Sequence, residues 1–429
     1  MKIFYKPILK CSLSFLMFST WVSIAWGLTD TARNIYERYS DSVYQIQIID
    51  INSGEKSVIG SGFSFSQKGL FATNYHVVSD VVDTPNRYRI EYHKGSEKKG
   101  ELFLLAIDVA HDLAILKGEG ANTSSLTLGS SNRLKGDRVY PMGNPLDLGM
   151  TIIEGTFNGL VGVDPYQHIL LSAPLNPGMS GGPAFSSSGK VIGVNVAIEG
   201  NDLSYLVPVE YLIKLSRQKA DEKGSQNWIE IIQAQLLKRY DRVIEKIINA
   251  KLSDEKFGSL KVPQNMLPSG IKCWGDSRHE DLEDGSLYSF GRKRCRSEYD
   301  VYLSSEMSTG TIEYSIIWME SEALGSLEFY KKYSSSYSKS LYNSYVTEKE
   351  VSEFSCSNKF IKLADHDWKA AYCVRRYNRF QKLYDVSLNL AVLGESKRGH
   401  VIRVGLGGID EKLAKRFLRK LLGGIQWID

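Results

Sequence analysis

Between residues 42 and 208 the chain is a succession of short apolar runs, each broken by Gly, Asn or Ser, and few folds accept such a pattern. SVYQIQIID from Ser42, SVIGSGFSFS from Ser57, GLFATNYHVV from Gly69, YRIEY from Tyr88, ELFLLAID from Glu101 and DLAILK from Asp112 each have the length of a strand. GKVIGVNVAI from Gly189 and SYLVPVEYL from Ser204 close the series. A short helical segment over residues 30–39 leads in, and no long helical period appears before about residue 208. Strand-length runs separated by turn residues predict an antiparallel barrel or sandwich.

Inside this β-rich region lies NPGMSGGPAF, residues 176–185, where Ser180 stands among Gly178, Gly181 and Gly182 and is flanked by Pro177 and Pro183. Glycines let a backbone approach a reacting carbonyl and adopt the dihedrals a nucleophile turn needs. The N–H groups of Gly178 and Ser180 are then candidates for an oxyanion hole. Gly/Ser turns are common, so the turn counts only in company. His76 follows LFATNY, where the bland reading is a strand-end histidine. Asp112 precedes LAIL at the mouth of a buried strand, where a carboxylate is costly without a partner and where a turn cap is the bland reading. The order His76, Asp112, Ser180, with gaps of 36 and 68 residues, fits the chymotrypsin-like arrangement of nucleophile, base and orienting acid.

The blocks GSGFSFS-x-x-GLFATNYHVV, HDLAILK, LTLGSSNRLKGDRVYPMGNPLDLG, LNPGMSGGPAF and GKVIGVNVAI together resemble the HtrA/Deg-type trypsin-like serine proteases, over residues 35–215. The resemblance implies a double β-barrel and catalytic roles for His76, Asp112 and Ser180. It also implies an acyl-enzyme route acting on protein or peptide substrates, unfolded or misfolded proteins included. No cofactor and no metal are expected. In the chymotrypsin-like arrangement Pro174 floors the primary pocket with Leu175 next to it as a wall, and Val196 and Ala197 stand on the opposite wall. Such a pocket prefers small or medium aliphatic residues before the cleaved bond. The sequence departs from the family at Met179, where Asn is usual, and at Ser172, where many relatives carry Asp. Nothing after residue 260 looks like a PDZ domain. The rival reading is a catalytically silent trypsin-like scaffold that binds partners through its C-terminal part.

A chain of 429 residues suggests two or three domains. Its formal charge of +4 gives no argument for nucleic acid, and KKG near Lys98 and GRKRCR at 291–296 are expected to be solvated loops. Lys2, Lys6 and Lys10 precede an apolar run at 11–26 that ends in the small residues Ala25 and Gly27, the pattern of a secretory signal over residues 1–27. Export to the periplasm or the exterior follows, with membrane attachment only if the signal stays uncleaved. The expected division is a protease domain at 28–220, a helical linker at 221–260 and an α+β domain at 261–429.

In the linker, Ile229, Ile232, Leu236, Tyr240, Val243 and Ile247 recur at helical spacing, with Ser225 as N-cap. That helix is expected to pack on a neighbouring domain, and a homo-oligomer is left open. KVPQNMLPSG, residues 261–270, reads as a loop. Alternation at Ile312, Tyr314, Ile316 and Trp318, at 384–392 and at 402–406 predicts antiparallel strands with one wet face. Helices are expected over 322–337 and from Asp410 to Gly423, and the tyrosines of YKKYSSSYSKSLYNSY are expected to pack. Of five cysteines, Cys11 leaves with the signal. Cys273, Cys295, Cys356 and Cys373 then read as two disulfides with three connectivities, of which the local pairing 273–295 with 356–373 is expected. The zinc alternative lacks any C-x-x-C or H-x-x-x-H spacing.

Overall fold

The computed structural model describes residues 27–428 apart from 119–123, 164–165, 197–202, 219–225, 252, 264–270, 282–284, 298–299, 339–341 and 343. The expected signal at 1–27 falls outside the described residues except for Gly27, and so do Ala197 and Ser225.

After helix α1 (Gly27–Tyr39), six strands close an antiparallel barrel in the order β1-β2-β3-β6-β5-β4. They are β1 (Val43–Asp50), β2 (Lys56–Ser66), β3 (Leu70–Thr73), β4 (Tyr88–Lys94), β5 (Glu97–Asp108) and β6 (Leu113–Gly118). One expectation fails here. GLFATNYHVV is not one strand, because β3 stops at Thr73 and helix α2 (Tyr75–Asp83) begins two residues later. Val78 and Val82 fall one helical turn apart and are buried in the barrel's core cluster with Ile46 and Phe71, which rewards a helix over a strand.

Seven more strands follow: β7 (Arg138–Gly143), β8 (Thr151–Ile152), β9 (Gly155–Val163), β10 (Tyr166–Ser172), β11 (Pro183–Ser186), β12 (Val191–Val196) and β13 (Leu203–Pro208). Their order is β11-β12-β13-β10-β9-β7-β8, and β11 also pairs with β7, Ala184 opposite Pro141. That pairing closes a second antiparallel barrel. Two such barrels make a mostly β, chymotrypsin-like fold, and the sandwich alternative is set aside. Phe63, Tyr140, Phe185 and Leu212 form a buried cluster that ties the barrels to each other and to α3 (Val209–Ser216).

Helix α4 (Trp228–Asn249) is capped by Asn227, whose side chain accepts the Glu230 N–H; the expected cap, Ser225, lies outside the described residues. Asn227 stands immediately before the first helical residue, the position from which a side-chain oxygen reaches an orphan N–H. At about 1.5 Å per residue its 22 residues span roughly 33 Å. Its first half buries Ile232 and Leu236 in the first barrel's core cluster, and its second half buries Tyr240, Ile244 and Ile247 with the C-terminal sheet. The helix is packed on its neighbours, as its apolar stripe implies.

The C-terminal region begins with the hairpin β14 (Asp254–Phe257) and β15 (Leu260–Pro263), so the start of KVPQNMLPSG is a strand. Its main sheet runs β16-β17-β20-β24-β23-β22-β21. The strands are β16 (Ile271–Arg278), β17 (Ser289–Ser297), β20 (Ile312–Glu320), β21 (Ser355–Leu363), β22 (His366–Arg376), β23 (Tyr384–Val392) and β24 (Arg398–Ile409). A separate hairpin, β18 (Val301–Ser304) and β19 (Met307–Thr309), projects between β17 and β20 in the chain. GRKRCR lies in β17 rather than a loop, and Arg292 and Lys293 pair with Asp276 and Glu255. The four cysteines bridge as 273–295 and 356–373, each pair directly opposite across an edge hairpin with Cα atoms 4.0 Å apart.

Strands β20 and β24 are buried on both faces, contrary to the single wet face expected. Helix α5 (Ser326–Ser338) supplies Tyr333, which with Tyr342 lies over Gly399 and Gly405 on one face. On the other, Trp427 of β25 (Gln426–Trp427) meets His400 edge-on. The Tyr333 hydroxyl lies 2.7 Å from the His400 carbonyl and 3.0 Å from that of Val392, with its one proton to donate between them, so this tyrosine packs, as expected. Helix α6 (Glu411–Gly423) starts on the Asp410 cap and buries Leu413, Phe417 and Leu421.

Candidate active site

Asp112 occupies the tight connection between β5 and β6 with φ +53°, a left-handed backbone that Asp tolerates better than most residues. This conformation turns its carboxylate toward the start of α2. One carboxylate oxygen accepts the His76 backbone N–H at 2.9 Å, and the other meets His76 Nδ1 at 2.7 Å. The first bond satisfies one of the orphan N–H groups at the helix start, and the negative charge suits that end of the helix. The second holds the imidazole in one orientation, leaving Nε2 as the far nitrogen. Asn74 Nδ2 donates to the Asp112 carbonyl at 2.8 Å and locks the connection from behind.

Burial disfavours a charged His76, yet the charge and hydrogen bond of Asp112 together outweigh it. The net result is a histidine pKa raised above its ordinary 6.5.

Ser180 is 6% exposed in a turn laid against the same region of the first barrel. Its carbonyl accepts the Ser61 N–H at 2.7 Å. Gly181 has φ +86°, and a Cβ there would fall 2.2 Å from both the Ser61 carbonyl and Thr73 Oγ1, so only glycine allows this approach. Gly178 is required twice over, by φ +94° and by an Asn144 carbonyl 2.4 Å from where its Cβ would lie.

The two N–H groups expected to receive an oxyanion belong to peptide units whose carbonyls are anchored. The Pro177 carbonyl accepts the Leu146 N–H at 2.9 Å. The Met179 carbonyl accepts the Gly182 N–H at 3.1 Å and Asn195 Nδ2 at 3.4 Å. In a trans peptide the N–H points opposite the C=O, so these anchors set the directions of the Gly178 and Ser180 N–H groups. Ser61 Oγ fixes the peptide between them by donating to the Gly178 carbonyl at 2.7 Å and accepting the Asn144 N–H at 2.9 Å. Met179, the departure from Asn, is fully buried among apolar residues of the second barrel, which holds the turn from beneath.

The expected pocket residues are placed unevenly. Leu175 is buried in the second barrel's core with its N–H bonded to Ser204 Oγ, Pro174 is exposed, and Val196 lines a cavity of about 1090 Å³ that also reaches His76 and Asp112. Ser61, Asn144 and Asn195 were not singled out from the sequence. An Asn inside the apolar run VIGVNVAI was the available signal, since a buried amide in a strand must be bonding something.

Residues 60–194 match the family described as Trypsin-like peptidase domain. The chain is 30% identical over 262 residues to a "Probable periplasmic serine endoprotease DegP-like" of Halomonas elongata, covering 58% of this chain and 51% of that protein. A protein of the same description from Pseudomonas putida is 32% identical over 189 residues, covering 42% of this chain and 38% of its own. A solved structure described as "Crystal structure of Deg5" is 27% identical with a TM-score of 0.38, covering 43% of this chain and 92% of that one. The chain spans about half the length of the curated relatives it matches. The resemblance to HtrA/Deg-type trypsin-like serine proteases is met by the family match and by these relatives.

Proposed function

We propose that this chain is an exported serine endopeptidase in which Ser180 is the nucleophile, His76 the general base and Asp112 the orienting carboxylate. The observation that carries the reading is the double hydrogen bond of Asp112 to His76, through backbone N–H and Nδ1, beside a glycine-framed Ser180. Ser180 Oγ attacks the peptide carbonyl carbon while His76 Nε2 takes the hydroxyl proton. The C–O bond forms, and the carbonyl π electrons move to oxygen, which the Gly178 and Ser180 N–H groups receive. Collapse of this intermediate breaks the C–N bond as His76 returns the proton to the leaving amine. Water then repeats the sequence on the acyl-enzyme and frees Ser180. Asp112 holds the imidazole through Nδ1 and supports the imidazolium.

Protein or peptide substrates in the periplasm or outside the cell fit this chemistry. The relatives' description as periplasmic and the signal-like N-terminus support that compartment. Cleavage after small or medium aliphatic residues is the corresponding specificity, with Val196 on one wall and no carboxylate at Pro174 to meet a basic side chain. Mass-spectrometric mapping of cuts on a denatured protein checks it, and a majority after Lys or Arg would refute the pocket alone.

A fluorophosphonate probe tests the catalytic reading. Labelling that disappears in Ser180→Ala is expected, together with a kcat lowered roughly 10⁴- to 10⁶-fold in that variant. An unlabelled parent protein would overturn it and favour a silent scaffold.

A further inference from the structure

The C-terminal region reaches the catalytic histidine. The ring of Tyr302, in the β18–β19 hairpin, stands edge-on to the His76 imidazole with centroids 6.2 Å apart. The C-terminal region meets α2 along one stripe of the helix. The Tyr75 hydroxyl donates to the Leu303 carbonyl at 2.8 Å, Ser79 and Tyr302 both line the cavity beside His76, and Asp83 is ion-paired with Arg379, which follows β22. Residues 75, 79 and 83 are four apart and so share a helix face. Val301, Leu303 and Met307 of the hairpin are buried in the first barrel's core cluster, which makes the contact a packed interface.

The cavity of about 1090 Å³ beside His76 is consequently walled by both halves of the chain. The barrels contribute Tyr166, Val196 and Tyr205, and the C-terminal region contributes Val301, Tyr302 and Ile312. Most of the ionic groups on its lining are matched within the chain, while Arg239 lies over the Tyr166 ring and Asp80 accepts from Ser57 Oγ. Asp83 pairs with Arg379, Arg87 with Asp50, Asp300 with Arg296 and Glu306 with Lys349. His168, also on the wall, is held neutral because burial lowers its pKa to about 4. A charged ligand group would be desolvated against a wall whose charges are mostly matched already, whereas an aromatic or large aliphatic group gains ring faces and apolar walls.

Resting on the endopeptidase reading, we infer that the β18–β19 hairpin completes the substrate cleft. The cavity is a subsite for one bulky apolar or aromatic side chain, and Tyr302 is its specificity-determining residue. Val196 walls both the proposed primary pocket and this cavity, which also reaches His76 but none of residues 174–180, so the two sites adjoin and the subsite is assigned to the residue next to the pocket residue on the acyl side.

The test is binding to Ser180→Ala, which reads the subsite without turnover. The probes are fluorescein-labelled ten-residue peptides with Val before the cleavable bond and Phe, Leu, Gly or Lys at the preceding position. The Phe and Leu peptides should bind about tenfold more tightly than the Gly and Lys peptides, the factor expected from burying one large apolar side chain. Adding Tyr302→Ala should abolish the preference, and adding Tyr302→Phe should keep it. Tyr205→Ala, on the opposite wall, should weaken the same preference and serves if Tyr302→Ala does not fold. Equal affinities for all four peptides, or a preference that survives both alanine variants, would overturn the subsite. Fluorophosphonate labelling of the parent protein separately decides whether Ser180 is an activated nucleophile.

Discussion

The hydroxyl of Tyr75, the residue before His76, donates to the carbonyl of Leu303 across 228 residues of sequence. Tyr75 is 1% exposed, and this bond joins the helix that carries the histidine to a hairpin of the C-terminal region. Since α4 and the β18–β19 hairpin both contribute to the first barrel's core, the barrel and the C-terminal sheet should unfold together. A single transition by calorimetry is the expected result. Tyr75→Phe leaves the Leu303 carbonyl without this donor and should lower stability by roughly 0.5–1.5 kcal/mol. Two well-separated transitions in the parent protein would contradict the shared core.

A second prediction concerns Ser61. Its hydroxyl bonds both the Gly178 carbonyl and the Asn144 N–H, and Ser61 itself is fully buried. Ser61→Ala leaves a buried acceptor and a buried donor, each costing roughly 1–3 kcal/mol if unsatisfied. The variant should melt lower. It should also lose kcat more than it raises KM, because the loosened peptide lies between the two oxyanion donors. A normal kcat with a raised KM would show that Ser61 does not position the turn.

How much of this was legible in the sequence depended on whether the signal was local. The turn around Ser180 could be read because Gly178 and Gly181 are demanded by backbone conformation, which is a local property. The cap at Asp410 and the local cysteine pairing were legible for the same reason. His76 was found, but its helix was missed, since LFATNYHVV carries a strand-like composition and the switch at Asn74 is rewarded only by burial of Val78 and Val82. Ser61 and Asn195 acquire meaning only when strands far apart in sequence meet. The double-sided burial of β20 and β24 was hidden likewise, because it depends on Tyr333, Tyr342 and Trp427 arriving from other segments. Tyr302 beside His76 had no sequence signal at all.

The disulfides give a third prediction. Each closes a short loop, with separations of 22 and 17 residues, and each should stabilise its edge hairpin by roughly 2–4 kcal/mol. Cys356 is exposed and Cys373 partly so, whereas in the other pair Cys273 is exposed but Cys295, within β17, is fully buried. Mild reduction should open 356–373 before 273–295, read by alkylation and peptide mapping. Activity should survive that first step, since both cysteines sit in an edge hairpin and neither lines the cavity beside His76. Four free thiols in denatured protein taken from an oxidising compartment would refute both bridges.

The pH profile gives the last prediction, and its sign follows from His76. The general base must be neutral, and its pKa is raised above 6.5 by Asp112 against the opposing effect of burial. The acid limb of kcat/KM should therefore fall away through an apparent pKa above 6.5. Asp112→Asn removes the charge that raises the pKa while burial remains, so the residual activity of that variant should show its acid limb at lower pH. Stability runs the other way. His76 holds its proton more tightly folded than unfolded, so the His76–Asp112 pair contributes fully below pH 6.5 and loses that contribution as pH rises through the folded pKa. The stability difference between the parent protein and His76→Gln should shrink over the same pH window in which activity climbs. Denaturant titrations at a series of pH values measure the first quantity, and initial rates on one peptide measure the second. A stability difference that grows with pH would mean that His76 binds its proton less tightly when folded, and the charge-stabilised pair with Asp112 would then be wrong.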